Sequence, residues 1–272
     1  MVLTGLGLWV WDIEQCPKWL SIAKRIGANF VLGKKADGED PWKQWWTIKE
    51  QCQESGIQPI PWAYNYGEPT EPYILTATDE KIVVLNPEIE FERLHKTAQL
   101  DFITVVREIR ATGTTVGLAT WARPDIHPQY PFEELAKVVD FWIPMVAWPM
   151  WDPPLPQHWF DHWDQFGYGP TVPWLPTYGA KGQARSPHTL AMSLKLALER
   201  YPAVSIWGAH TLTESQQEVL ALQHATRPTY DKDAARDALN GLWQRLNEAE
   251  TAIRSCREET RELKTALGLP NV

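Results

Sequence analysis

The chain is short of most things that announce a chemistry. Three cysteines, Cys16, Cys52 and Cys256, stand at no metal-ligand spacing and are too few for a disulfide framework, so reduced thiols are expected. No HExxH or CxxC occurs, which removes the common zinc signatures, and no GxSxG provides a nucleophile elbow. No metal or cofactor is expected. No apolar run approaches the roughly 18 residues that cross a bilayer. Basic charge is scarce, with 26 Lys and Arg against 34 Asp and Glu, a net charge of −8. Such a balance argues against nucleic acid or an anionic membrane as partner. Residues Met1–Asp12 carry no basic leader and no small-residue cleavage site, and read as a first strand. The expected location is therefore the cytoplasm, or a virion or other exported assembly that needs no standard signal.

Tryptophan is what the chain has in excess, with 16 in 272 residues. The indole is large, flat and carries an N–H that wants a partner, so a single core does not hold so many comfortably. Part of the set is expected to fill the core and rim, and part to line a groove that stacks on flat apolar faces such as those of sugar rings.

Apolar, β-branched or aromatic runs recur about every 23–33 residues, most followed by a helical pattern. Strands are predicted at Leu6–Ile13, Asn29–Lys35, Gln58–Tyr66, Lys81–Glu88, Thr115–Trp121, Phe141–Ala147, Val172–Tyr178 and Ala203–Gly208. Helices are predicted at Pro17–Ile26, Trp42–Glu54, Leu94–Thr112, Phe132–Val138, Gln157–Phe166, Pro187–Arg200 and Glu214–His224. Eight strands with short helical crossovers predict an α/β fold, a single (β/α)8 TIM-type barrel over residues 1–226. The rival, a doubly wound open sheet, lacks its Gly-rich phosphate turn after the first strand.

Chemistry in such barrels sits at the C-terminal ends of the strands. Those ends supply Trp11 and Asp12, Lys34, Lys35 and Asp37, Tyr64 and Asn65, Asn86, Glu88 and Glu90, Trp121, Arg123 and Asp125, Trp148, Tyr178, Trp207 and His210. Indoles and phenols punctuated by carboxylates suit the apolar faces and hydroxyls of a glycan. From this set Trp11, Lys34, Tyr64, Asn65, Asn86, Trp121, Trp148, Tyr178 and Trp207 are the expected substrate-binding residues.

Several of these ends together resemble the glycoside hydrolase family 25 lysozymes. Phe30-Val-Leu-Gly-Lys34-Lys-Ala-Asp37-Gly38 is similar to that family's second strand, Trp62-Ala-Tyr64-Asn65-Tyr66-Gly67 to its third, and Val83-Val-Leu-Asn86-Pro-Glu88 to its fourth, which ends in Asp-x-Glu. Asp12 falls near the family's first-strand aspartate, and Phe141–Trp148 looks like the sixth strand of related sugar hydrolases. The resemblance covers roughly residues 5–210. It implies a peptidoglycan muramidase in which Glu88 is the general acid and Asp12, or else Glu90, the second carboxylate that glycosidic cleavage ordinarily needs. The chain departs from the family at Asn86, where the first carboxylate of Asp-x-Glu would stand. An amide there orients an acetamido group or a water but supplies no charge. The rival expectation is a catalytically inactive barrel that serves as an oligomeric structural or glycan-binding component of a phage particle or injection device.

After a linker at 227–232 the texture changes. Leu239, Leu242, Leu246, Ala249, Ile253, Cys256, Thr260, Leu263 and Leu267 alternate at spacings of three and four, a heptad seam flanked by Arg, Glu and Lys. A strict 3.5-residue period predicts self-association of residues 233–272 as a coiled coil, where a helix lying on the barrel would show a broader 3.6-residue stripe.

Overall fold

A computed structural model describes residues 3–76, 80–146, 157–178 and 184–225. Eight parallel strands close on themselves: β1 Gly5–Val10, β2 Phe30–Asp37, β3 Gln58–Asn65, β4 Ile82–Pro87, β5 Thr115–Trp121, β6 Phe141–Met145, β7 Trp174–Pro176 and β8 Ala203–Trp207. Each pairs with the next, and β8 returns to β1 through Gly5 opposite Ala203 and Leu8 opposite Ile206. A two-residue strand, Asp40–Pro41, folds back antiparallel on the end of β2. The chain divides into two units, Met1–Ala221 and Leu222–Val272. The first is the barrel, and the heptad seam lies outside the described residues.

The crossover helices are α1 Trp19–Arg25, α2 Trp45–Glu54, α3 Glu71–Thr76, the short α4 Ile89–Glu92, α5 Lys96–Ala111, α6 Phe132–Leu135, α7 Gln157–Asp164, α8 Pro187–Arg200 and α9 Glu214–Ala225. All but α3 and α4 follow the predicted pattern within a few residues. The α3 segment hides in Gly67-Glu-Pro-Thr-Glu-Pro72, which reads as turn chemistry. Proline in a first turn nonetheless costs no hydrogen bond, since the N–H it lacks would be an orphan there anyway. Residue Ser186 caps α8, its Oγ accepting from the Thr189 N–H at 3.0 Å.

Side chains alternate across a strand, so every second residue faces the barrel axis. Counting upward in steps of two gives Phe30, Leu32 and Lys34 on β2, Ile60, Trp62 and Tyr64 on β3, Phe141, Ile143 and Met145 on β6, and Ala203, Ser205 and Trp207 on β8. The lower members other than Ser205, with Leu3, Trp9, Ile82, Val84, Ala119 and Trp174, form the apolar plug of the barrel. Of the uppermost members, Tyr64, Met145 and Trp207 contribute to the floor and walls of what lies above it.

Candidate active site at the barrel mouth

A cavity of about 270 Å³ opens at the C-terminal ends of the strands, lined by Trp9, Trp11, Tyr64, Asn86, Glu88, Ala119, Met145, Trp174, Tyr178 and Trp207. Its floor is a cluster of indoles set edge to face. Ring centroids of Trp207 lie 5.5 Å from Trp9, 5.8 Å from Trp11, 5.9 Å from Trp62 and 5.2 Å from Trp174. Aromatic pairs favour this arrangement, in which each ring fixes its neighbours. The Trp207 Nε1 donates to the Tyr178 hydroxyl at 3.0 Å, leaving the phenol proton available to a ligand.

Among the described residues Glu88 is the carboxyl that faces this cavity. Burial pushes its pKa up from 4.5 to about 7, against the stabilising amide of Asn86, while the nearby charge of Glu90 adds to the rise. The Asn86 Nδ2 donates to Glu88 Oε1 at 3.0 Å. Asn86 is itself held by its own backbone N–H, which donates to Asn65 Oδ1 at 3.0 Å. The turn that carries Glu88 is pinned from below by the Tyr130 hydroxyl, which donates to the Pro87 carbonyl at 3.0 Å. Two buried polar atoms of the lining, Asn86 Oδ1 and Trp9 Nε1, have no hydrogen-bond partner among the described residues. One is an acceptor and the other a donor, and each costs stability while unmade.

The remaining expected residues surround this centre at different depths. Glu90 accepts the Tyr64 hydroxyl at 2.7 Å on Oε2. Asp12 lies outside the lining. Burial there would raise its pKa, but hydrogen bonds from the Gln44 amide (3.0 Å) and the Glu14 N–H (2.8 Å) outweigh it and hold the carboxyl below its ordinary value. Lys34 is fully buried beneath Trp11 and Trp42, its Nζ 4.0 and 4.2 Å from their ring centroids, and is ion-paired with Asp37 at 2.7 Å. Burial lowers its pKa, and Asp37 works against that fall. It therefore neutralises Asp37 and not Glu88. A register shift between Lys34 and Ala36 marks the bulge in β2 that lets both Lys34 and Lys35 be buried. Lys35 points the other way, donating to the Leu75 carbonyl at 2.9 Å.

Asn65 is fully buried and serves the backbone of Asn86 without lining the cavity. Trp121 stands at the end of β5, stacked at 4.7 Å on His127, whose Nδ1 meets Glu92 at 2.8 Å. Trp148 lies outside the described residues. Trp9, Ala119, Met145 and Trp174 complete the lining without having been expected there. Each sits in inward register on its own strand, two residues below Trp11 in the case of Trp9, so the alternation that placed the mouth residues also carried these. Among the described residues no group of His, Cys, Asp and Glu gathers as a metal site, and no helix is long and apolar enough to cross a membrane.

No family model matches this sequence, and no curated protein matches it. Solved structures do match in fold. The active domain 2 of a thermostable chitinase from Pyrococcus furiosus, complexed with chito-oligosaccharides, superposes with a TM-score of 0.61 at 10% identity over 85% of this chain and 98% of that one. The family 18 chitinase ChiB of Flavobacterium johnsoniae gives 0.60 at 12% identity over 82% and 94%. A class V chitinase from Pseudomonas fluorescens Pf-5 gives 0.57 at 9% identity over 78% and 98%. At these identities the likeness is one of fold: the chain is a (β/α)8 barrel of the kind that glycoside hydrolases use, and the likeness does not single out the family 25 lysozymes.

Proposed function

We propose that the barrel is a glycoside hydrolase acting on polymers of 2-acetamido sugars, a class that contains both peptidoglycan and chitin. The observation that carries this reading is Glu88, a carboxyl that burial lifts to a pKa of about 7 at the wall of an indole-floored cavity. A general acid needs a pKa near its working pH, and burial supplies it. The cavity is at the small end for ligand pockets, room for one sugar ring over the indoles.

Among the described residues no second carboxylate lines the cavity opposite Glu88: Asp12 stands apart, and Glu90 is engaged by Tyr64. Hydrolysis of 2-acetamido sugars does not require one, because the substrate's own acetamido oxygen can take that role. In this scheme Glu88 gives its proton to the glycosidic oxygen as the C–O bond breaks, and the acetamido oxygen bonds to the anomeric carbon. Water then opens the resulting ring, losing its proton to the Glu88 carboxylate. Asn86 and Tyr178 are placed to hold the acetamido group, Asn86 Oδ1 accepting its N–H and the Tyr178 hydroxyl donating to its carbonyl. Asn86 thereby orients where an aspartate would also charge. Muramidase action by a Glu88–Glu90 or Glu88–Asp12 pair is the competing scheme for the same site. For the chain after residue 232 the proposal is a coiled coil that multiplies this site.

The test is release of reducing ends from peptidoglycan and from chito-oligosaccharides. Replacement Glu88→Gln is expected to lower the rate by about 10²–10⁴-fold, the usual worth of a positioned acid, while binding survives. Glu90→Gln and Asp12→Asn separate the schemes, since only a paired-carboxylate mechanism loses comparable rate with one of them. A specific observation favours a second reading, a binding module: Asn86 removes a charge from the site. Wild-type protein that binds these glycans and releases no reducing ends would establish it.

A further inference from the structure

Beside the cavity, on the side of β2 and β3, an exposed aromatic ring is held from three directions. Tyr66 is 45% exposed. Its ring lies 5.1 Å from that of Tyr64, which walls the cavity. The Tyr66 hydroxyl donates to Asp37 Oδ1 at 2.9 Å, and Asp37 is anchored in turn by buried Lys34. Below the ring, Gly38 takes a left-handed φ of +56°, and a Cβ there would come within 3.0 Å of the ring. The backbone beneath is fixed too, since the Tyr66 and Gly67 N–H groups donate to the buried Glu71 carboxylate at 3.2 and 3.0 Å. A surface tyrosine ordinarily keeps its rotamer freedom, so this much restraint leaves a flat apolar face presented to solvent in one orientation.

Acceptors border that face. Asp37 stands at its hydroxyl end, and Glu90 stands across Tyr64 with Oε2 engaged and Oε1 without a partner among the described residues. Among the described residues the cation in this hydrogen-bonded network is Lys34, which is fully buried and committed to Asp37. The rim is thus a stacking platform edged with hydrogen-bond acceptors and net negative charge.

We propose that Tyr66, with Asp37 and Glu90 at its edges, is a second sugar subsite continuous with the cavity, taking neutral or 2-amino sugars and rejecting uronic acids and other anionic sugars. The inference rests on the cavity being a glycan site and adds where the next ring goes and what charge it carries. The apolar face of the ring stacks on Tyr66, while hydroxyl or ammonium groups donate to the two carboxylates. Lys34 offsets the charge of Asp37, so an anionic sugar would set its own charge against that of Glu90 as water leaves, a repulsion that discriminates between partners.

The experiment uses the full chain in a Glu88→Gln background, which leaves the ligand uncut. Binding is measured for N-acetylglucosamine, N-acetylchitotetraose, the fully deacetylated tetramer and tetragalacturonate, by ligand-observed NMR for the monosaccharide and calorimetry for the rest. Tyr66→Ala is expected to weaken both chitin-type tetramers about tenfold and leave the monosaccharide unchanged, since one lost stacking contact is worth about that factor. Tyr66→Phe keeps the ring and should retain most of the affinity. Glu90→Gln should narrow the gap between tetragalacturonate and the neutral tetramer, and added salt should narrow it further. Melting curves report that each variant folds. The subsite is overturned if Tyr66→Ala weakens monosaccharide and tetramer alike or neither, or if tetragalacturonate binds as tightly as the neutral tetramer. Absence of binding by every sugar, the monosaccharide included, would instead remove the cavity reading on which the subsite stands.

Discussion

At the scale of single residues, Glu88 couples the site to the stability of the whole barrel. Its carboxyl has an ordinary pKa of 4.5, and burial carries it to about 7 in the folded chain. Below about pH 4.5 the group is protonated in both states and contributes nothing unfavourable. Between those values the unfolded chain releases a proton that the folded chain keeps, so stability falls as pH rises and levels off above about 7. The full span corresponds to about 3 kcal/mol at 1.36 kcal/mol per pKa unit. A glutamine has no proton to release, so Glu88→Gln is expected to gain on the wild type by several degrees in melting temperature between pH 4 and pH 8. Thermal melts at the two pH values check this, and a pH-independent difference between the proteins would show that Glu88 titrates normally. Such a carboxyl is kept at a cost to the fold, which is the pattern of a group retained for its chemistry.

At the scale of elements, two pairs of neighbouring strands solve one packing problem in the same way. Gly7 on β1 lies opposite Phe30 on β2, and Gly117 on β5 lies opposite Phe141 on β6. A Cβ on Gly7 would stand 2.0 Å from the Phe30 ring, and one on Gly117 2.2 Å from the Phe141 ring. The ring from one strand therefore fills the space that the other leaves, closing the lower barrel beneath the indoles. Gly117→Ala is expected to destabilise by about 1–3 kcal/mol through overpacking. The double variant Gly117→Ala with Phe141→Leu should be less damaged than the two single losses added together, because the smaller side chain gives back the space. Denaturant titration of the four proteins measures that coupling, and strict additivity would mean that the ring moves aside freely.

The same alternation explains how much was legible beforehand. The strand order and the inward parity lie in the pattern of apolar residues, so Trp11, Tyr64, Asn86, Glu88, Tyr178 and Trp207 could be placed at one mouth from strand ends alone. Depth could not be read that way. Lys34 looked like a mouth residue, but the bulge in β2 and the rings of Trp11 and Trp42 seal it. Asn65 follows Tyr64 and so falls out of the inward register, where it became a bracket for Asn86. Asp12 shares its strand end with Trp11, yet Gln44, on the approach to α2, draws its carboxylate aside through contacts between residues 32 positions apart. Contacts of that kind depend on how loops settle over the barrel, and no local period encodes them.

At the scale of the whole molecule, the barrel and the chain beyond it ask different things of solution. If the cavity of about 270 Å³ takes one sugar ring, as proposed above, its grip on any single glycan chain is weak, with or without a neighbouring subsite. Linking several copies turns later binding events into intramolecular ones and raises avidity by about 10²–10⁴-fold without a new contact. The heptad seam from Leu239 to Leu267 is the segment whose sequence fits that task, with Cys256 on the seam and Thr260 a polar core position able to fix register. The expected outcome is a parallel homo-oligomer at micromolar concentration that becomes a monomer when the chain is cut after residue 231. Light scattering on the two proteins reads the mass directly, and Cys256 in a parallel seam should cross-link copies under mild oxidation. Soluble tetramers should bind the long and the truncated protein equally per site, because each occupies one barrel. Insoluble polymer should retain the long protein far better, because only there can several barrels engage one surface. A full-length monomer, or equal retention of both proteins on polymer, would leave the seam without this role and the barrel acting alone.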